Sequence, residues 1–198
     1  MDKILQAFNQ SLQTGYVDKT VLSEVTYQPE LLVNQKTPPK KVLSTIIQEL
    51  EDCDEFFISV AFVTTSGVAT IINTLKELEK RKVKGKILVS QYLNFTQPEA
   101  LRKLSKFKNI DLRIATKGNA HSKGYLFKTK EHYNLIIGSS NLTASALSIN
   151  KEWNLKISAL NDSRIVEKVI KEFQSDFDIG TEVTEDYISY YNSKLNAN

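Results

Sequence analysis

His121-Ser122-Lys123, Gly138-Ser139-Ser140-Asn141 and Glu152 are the residues of this chain whose types and spacing can do chemistry. On an extended backbone side chains alternate between faces with period two, so His121 and Lys123 project from one side. Ser139 and Asn141 repeat that spacing directly after the apolar run Leu135-Ile136-Ile137. A nucleophile, a cation, an amide and a carboxylate gathered in this way are parts of phosphoryl-transfer machinery that needs no metal.

The chemistry follows from the side chains. Neutral His121 would attack phosphorus in line and form a phosphohistidine, splitting one difficult displacement into two. A second histidine must then protonate the leaving oxygen and activate water. The other histidine, His132, falls in a polar turn without the His-x-Lys context. The acid is most simply His121 of a second copy, so a homodimer with a shared site is expected. Lys123 and Asn141 are expected to hold the non-bridging oxygens as charge builds on them. Ser139 and Ser140, with backbone N–H groups near the following helix start, are candidate substrate-binding groups. Glu152 is expected to accept the other imidazole N–H and fix its tautomer. It stands beside Trp153 on an apolar stretch, where an unpaired carboxylate is costly to bury. Lys117, in the loop Thr116 to Ala120, reads as a nucleic-acid contact or simply as a loop lysine.

Other candidate sites carry less. The acidic run Glu51-Asp52-Cys53-Asp54-Glu55 lies at a helix-to-strand junction and lacks the separated carboxylates of a two-metal site. His132 has no Cys or His neighbour at zinc spacing. Neither a metal nor a cofactor is therefore expected. Thr143 reads as a helix cap. Cys53 is the single cysteine, so it has no internal disulfide partner, and a reducing cytoplasm is the natural compartment. Its apolar setting suggests packing.

The elements that must position these residues are legible from patterning. At 198 residues the chain suits one domain with a sizeable core, and 41% hydrophobic with 25% charged residues is ordinary globular composition. No apolar run approaches the ~20 residues of a membrane-spanning helix, and the N-terminus lacks a secretory apolar segment. Residues 101–150 hold nine Lys/Arg against two acids, a net +7 in a chain of net +3. Positive charge is thus concentrated around the motif, which fits a polyanionic partner or a solvated basic face.

A short amphipathic helix is expected over 1–13, and an irregular stretch over 14–40 with Pro29 and Thr37-Pro38-Pro39 as breakers. Helices are expected over about 41–52, 67–82, 98–106 and 162–177, and strands over 56–62, 86–90, 111–115, 123–128, 133–137 and 153–158. The segment 179–198 is polar and reads as a fraying tail or linker. The domain reading is an N-terminal extension over 1–40 packed on a catalytic domain over 41–178. Early alternation of helices and strands followed by hairpin-like strands implies an α/β fold, a mixed β-sheet flanked by helices on both faces.

His-x-Lys followed by Gly-Ser-x-Asn resembles the hallmark of the phospholipase D superfamily, and His121, Lys123, Gly138, Ser139 and Asn141 match it. Glu152 sits where the superfamily's small bacterial endonucleases have a supporting carboxylate. Phe56 to Phe62, Gln91-Tyr92-Leu93-Asn94-Phe95 and His121 to Leu155 also look like the nuclease-type domain at the N-terminus of some bacterial DEAD/DEAH-type helicases. The likeness spans about residues 40–178. One position departs: the family places an aspartate five residues after the lysine, where this chain has Lys128. The resemblance implies an α-β-α sandwich, histidine chemistry across a dimer and a possible helicase partner or fusion.

The expectation is a metal-independent phosphodiesterase cleaving nucleic acid, DNA rather than RNA, with no membrane partner, and the resemblance suggests a place in restriction or defence. A phospholipase or lipid phosphotransferase would use the same histidine chemistry. A non-catalytic DNA-binding module of a helicase system is the reading from another class.

Overall fold

The computed structural model describes residues 27–116 and 120–196. The expected helix over 1–13 and the candidate contact Lys117 lie outside the described residues. The rest forms β1 (Glu30–Leu32), β2 (Gln35–Lys36), β3 (Pro39–Lys40), α1 (Val42–Asp52), β4 (Glu55–Val60), α2 (Thr65–Lys80) and β5 (Lys84–Val89). A 3-10 turn (Tyr92–Asn94) leads to α3 (Pro98–Leu104), β6 (Ile110–Ile114), β7 (Gly124–Lys128), β8 (His132–Gly138) and α4 (Ala144–Ser148). The chain ends in β9 (Asn154–Leu160), α5 (Arg164–Asp178), β10 (Thr181–Glu182) and α6 (Glu185–Asn196).

Eight strands form one mixed sheet in the order β1-β9-β8-β7-β4-β5-β6-β10. β4, β5 and β6 run parallel, and β4 pairs antiparallel with β7. The near-continuous apolar run of β4 suits its place between β5 and β7, because a central strand covered on both faces has no solvent side.

Helices cover the two faces unequally. Val42, Ile46 and Leu50 of α1, Val68, Ile71, Leu75 and Leu78 of α2, Leu101 and Leu104 of α3, and Leu147 of α4 share one core with Phe56, Ile58 and Ile87. On the other face, among the described residues, α5 alone supplies the cover. Its Val166, Val169, Ile170 and Phe173 pack on Phe57, Leu126, Tyr133, Leu135 and Ile157. The mixed sheet with helices on both faces is the architecture the patterning implies.

Two stretches differ from expectation. Part of the irregular N-terminal stretch is strand: Leu31 pairs with Leu155 as β1 takes the open edge of β9. The polar segment after residue 178 is ordered as β10 and α6, with Ile188 and Tyr191 buried in the main core. Its apolar residues are few and widely spaced, which is why composition alone reads as a tail.

Candidate active site

The site is assembled at one edge of the sheet. Ser59 stands opposite Gly124, and Gly124 opposite Ile137, so the end of β4, the start of β7 and the end of β8 meet there. The parallel partner of β4 ends at the same edge, with Val60 opposite Val89. Loops leaving these strand ends carry the functional residues, as is usual at the carboxyl edge of parallel strands.

β4 ends at Val60, two residues short of its expected limit, and this releases two backbone donors. Ala61 N and Phe62 N donate to Asn141 Oδ1 at 3.0 and 3.3 Å. Because those donors require an oxygen acceptor, the amide orientation is fixed and Asn141 offers its NH2 group outward from this contact. The two loops are stitched further by a parallel bridge between Val63 and Leu142. Gly138 permits the close approach of β8 and β9: a Cβ there would lie 2.2 Å from the Trp153 carbonyl oxygen. That carbonyl accepts from Ser139 N at 3.0 Å.

His121 and Lys123 lie in the extended segment just ahead of β7. Lys123 Nζ is 2.8 Å from His121 Nδ1 and donates to the His121 carbonyl oxygen at 2.6 Å. His121 itself is exposed, whereas Lys123 is only 9% exposed. Burial lowers the Lys123 pKa from its ordinary value, and the charge of Glu152 opposes that shift. The Tyr92 ring meets the imidazole edge to face, with centroids 4.4 Å apart. Ser59 Oγ and Ser122 Oγ, 2.7 Å apart, tie the His121 segment to β4.

This geometry revises one expected role. An ammonium only donates, so a charged Lys123 makes Nδ1 the acceptor and leaves the proton of a neutral His121 on Nε2. Glu152 is held elsewhere: Ser139 Oγ donates to Glu152 Oε2 and accepts from Trp153 N at 3.1 Å. The carboxylate therefore acts on Lys123 through its charge, and its hydrogen bond goes to the serine rather than to the imidazole.

Ser140 is the clearest correction. It is fully buried, its hydroxyl accepts from Asn154 Nδ2 at 2.9 Å, and its carbonyl accepts from the Tyr125 hydroxyl at 2.9 Å. Those contacts brace the turn and leave it no face for a substrate. Thr143 caps α4 as expected, its Oγ1 accepting from Ala146 N at 3.0 Å.

Other residues are sorted by position. His132 opens β8 at the far end of the β7–β8 hairpin, beside Thr129 and Tyr27. Lys128 ends β7 at that same far end, opposite Glu55, whose carboxylate is 3.7 Å from its ammonium. The departure from the family pattern thus lies away from His121 and has its own charge partner. Burial pushes the Cys53 thiol up to about 12, in keeping with a packing role. Among the described residues, no three His, Cys, Asp or Glu side chains are grouped to hold a metal ion.

Tyr92, Ser59 and Phe62 are site residues that motif reading misses. The usable signal was topological: each follows or ends a central strand at the shared edge.

A mixed sheet between helical layers, with His-x-Lys and Gly-Ser-x-Asn at one edge, defines a phospholipase D-like domain. The family described as "Cardiolipin synthase, PLD-like domain" matches residues 46–177, and the chain belongs to that family. NucT from Helicobacter pylori superposes with a TM-score of 0.61 at 19% identity, over 79% of this chain and 99% of that one. Nuc from Salmonella typhimurium, described as a phospholipase D family member, gives 0.62 at 18% identity, over 80% and 100%. Phosphatidylserine synthase from Haemophilus influenzae gives 0.62 at 14% identity, over 98% of this chain and 51% of that one. These identities establish a common fold. A comparison with curated proteins finds no match.

Proposed function

We propose that this protein is a phosphodiesterase that cleaves nucleic acid, a DNA endonuclease working through a phosphohistidine on His121 without a metal ion. The observation that carries the reading is the His121–Lys123 pair, an exposed imidazole held at 2.8 Å from a largely buried cation. Lys123 and the oriented NH2 of Asn141 then bind the non-bridging oxygens, and Glu152 sets the local charge. The +7 surplus over residues 101–150 supports a polyanionic substrate.

A second copy supplies the second histidine in this proposal. Supporting it is an exposed apolar row on the thinly covered sheet face, where Leu31, Leu155 and Ile137 are neighbours across β1, β9 and β8. Ile137 also lines the cavity that reaches His121. In this reading β1 through α6 form one catalytic unit, because β1 and β10 belong to its sheet and α6 to its core, it works in the cytoplasm, and a helicase partner or fusion delivers DNA to it.

One observation favours a lipid phosphodiester as the second reading. A cavity of about 560 Å3 between the sheet and α5 opens at His121 and is lined by Phe57, Leu88, Leu126, Leu135 and Phe173. Among the described residues no helix is long and apolar enough to cross a membrane.

The test is cleavage of plasmid and oligonucleotide DNA in EDTA, with His121→Ala as control. EDTA-resistant cutting that disappears in the variant supports the proposal. Release of headgroup from phospholipid vesicles instead would favour the lipid reading, and DNA binding without cutting would leave only a binding module.

A further inference from the structure

The segment Gln91–Thr96 is not explained by the chemistry above. It leaves β5 at the active-site edge and turns through two residues with left-handed backbone, Leu93 at φ 48° and Asn94 at φ 60°. Neither is glycine, so the turn stores strain that the surroundings must hold. They do hold it. Gln91 Nε2 donates to the Tyr187 hydroxyl at 2.6 Å, the Tyr191 hydroxyl donates to the Thr96 carbonyl at 3.0 Å, and Thr96 Oγ1 donates to the Ser90 carbonyl at 2.8 Å. Two of these contacts come from α6, which thereby buttresses a strained loop beside the catalytic histidine.

What the loop presents is apolar and open. Leu93 is 65% and Phe95 is 52% exposed. Phe95 meets Phe62 edge to face with centroids 5.4 Å apart. Phe62 in turn donates its backbone N–H to Asn141, and Tyr92 on the same turn touches His121. An aromatic cluster is therefore fastened at both ends to residues that would hold the scissile phosphate. None of residues 91–95 lines the apolar cavity under α5, so the two features are separate.

We propose that Phe95, braced by Phe62, is a stacking platform for a nucleobase next to the scissile phosphate, and that the protein selects unstacked, single-stranded nucleic acid. The inference rests on the nucleic-acid reading of the site and adds the strand state. A planar ring beside a phosphate site matches the π-face that every base carries, and stacking on aromatic residues is tolerant of sequence. In a duplex that face is already covered by the neighbouring base pairs, so the platform engages only bases that have left the stack. The strain at Leu93 and Asn94 is the local cost of turning Phe95 outward.

The test is binding of a single-stranded oligonucleotide carrying 2-aminopurine, in EDTA, to protein bearing His121→Ala so that nothing is cut. Stacking quenches the fluorophore. Quenching and affinity are expected for the single strand, with affinity about 5- to 100-fold lower when Phe95→Leu is added. Phe95→Trp retains both, and circular dichroism and thermal melts establish that each variant is folded. Absence of quenching, equal quenching with Phe95→Leu, or equal affinity for duplex and single strand overturns the proposal. A Phe95→Leu change that alters only the dimer equilibrium assigns the ring to subunit contact and also overturns it. Quenching without EDTA-resistant cleavage by the wild type would defeat the hydrolase reading alone, whereas cleavage without quenching would defeat this one alone.

Discussion

Lys123 Nζ lies 2.8 Å from His121 Nδ1, and this single contact sets the protonation pattern of the candidate nucleophile. With Lys123 charged, the proton of a neutral imidazole resides on Nε2, which leaves that nitrogen a donor without a lone pair for attack. A nucleophilic Nε2 needs the proton on Nδ1 instead, which requires Lys123 to move aside and a carboxylate to take the ring N–H. Glu152 is the carboxylate expected from the sequence for that role, and it is engaged with Ser139 instead. In a shared site the copy acting as acid must carry a proton on both ring nitrogens and the copy acting as nucleophile must free Nε2, so both require Lys123 to leave Nδ1.

Nitrogen-15 NMR of His121 reads this tautomer directly. In the free protein the Nε2–H form is expected to predominate, and Glu152→Gln should leave that preference in place. Lys123→Met removes the donor at Nδ1 and should shift the population toward Nδ1–H. A predominant Nδ1–H form in the wild type would contradict the assigned donor.

The buried ammonium makes a prediction with opposite signs for rate and stability. Burial lowers the Lys123 pKa below its ordinary 10.5. The charged form is needed at the phosphate, so the rate should fall as pH rises through that lowered pKa. Between the folded and unfolded values the unfolded chain binds more protons, so the stability difference carried by Lys123 rises with pH there. Denaturant melts of wild type and Lys123→Met should therefore differ by an amount that shrinks in the wild type's favour as pH approaches 10.5. At neutral pH Lys123→Met should lower kcat by about 100- to 1000-fold, the usual cost of losing one preorganised donor. A rate that stays flat across the alkaline range would remove Lys123 from the charge-holding role.

Away from the site, a buried polar cluster locks α1 to the sheet. Lys156 Nζ is 2.5 Å from Glu49 Oε1, and Asn134 Nδ2 donates to Glu49 Oε2 at 2.6 Å. Only 13% and 7% of the two ionic side chains is exposed. Glu49→Ala leaves a buried ammonium without its anion and should destabilise the fold by about 3–5 kcal/mol. The double variant Glu49→Leu with Lys156→Met removes both charges and should recover most of that loss. Urea unfolding of the single and double variants decides it, and equal losses would show that the pair is not coupled.

Much of this architecture was legible because its strands and helices follow simple periods. The apolar run of β4, the i, i+4 stripe of α1 and the capping Thr143 each state their own local structure. His121, Lys123 and Asn141 could be paired from spacing because the two extended segments carrying them end at one edge. The partners of Glu152 could not. Its hydrogen bond to Ser139 depends on how closely β8 and β9 approach at Gly138, a long-range distance that no local pattern encodes. Ser140 shows the same limit, since a serine beside two functional residues looks like a ligand until Asn154 and Tyr125 are seen to claim it. For α6, two buried residues in a polar sequence were too weak a signal, although its tyrosines hold the loop that touches His121.

The shared-site proposal places the most demand on the row formed by Leu31, Leu155 and Ile137. These side chains lie side by side on the face that α5 covers only in part, and all three are exposed. Leu155 is the middle member, paired with Leu31 on one side and Ile137 on the other, so a charge there interrupts the whole row. Leu155 makes no hydrogen bond through its side chain and points away from the main core, so Leu155→Lys should change monomer stability little while making self-association unfavourable by an uncompensated buried charge. Sedimentation velocity should show a dimer for wild type and a monomer for the variant at micromolar concentration. Activity should fall with dimer content, because one His121 lacks its opposite number. Mixing wild type with excess His121→Ala should likewise depress activity per wild-type subunit through inactive heterodimers. A monomeric Leu155→Lys protein with full activity would show that one imidazole suffices and that the apolar row serves another purpose.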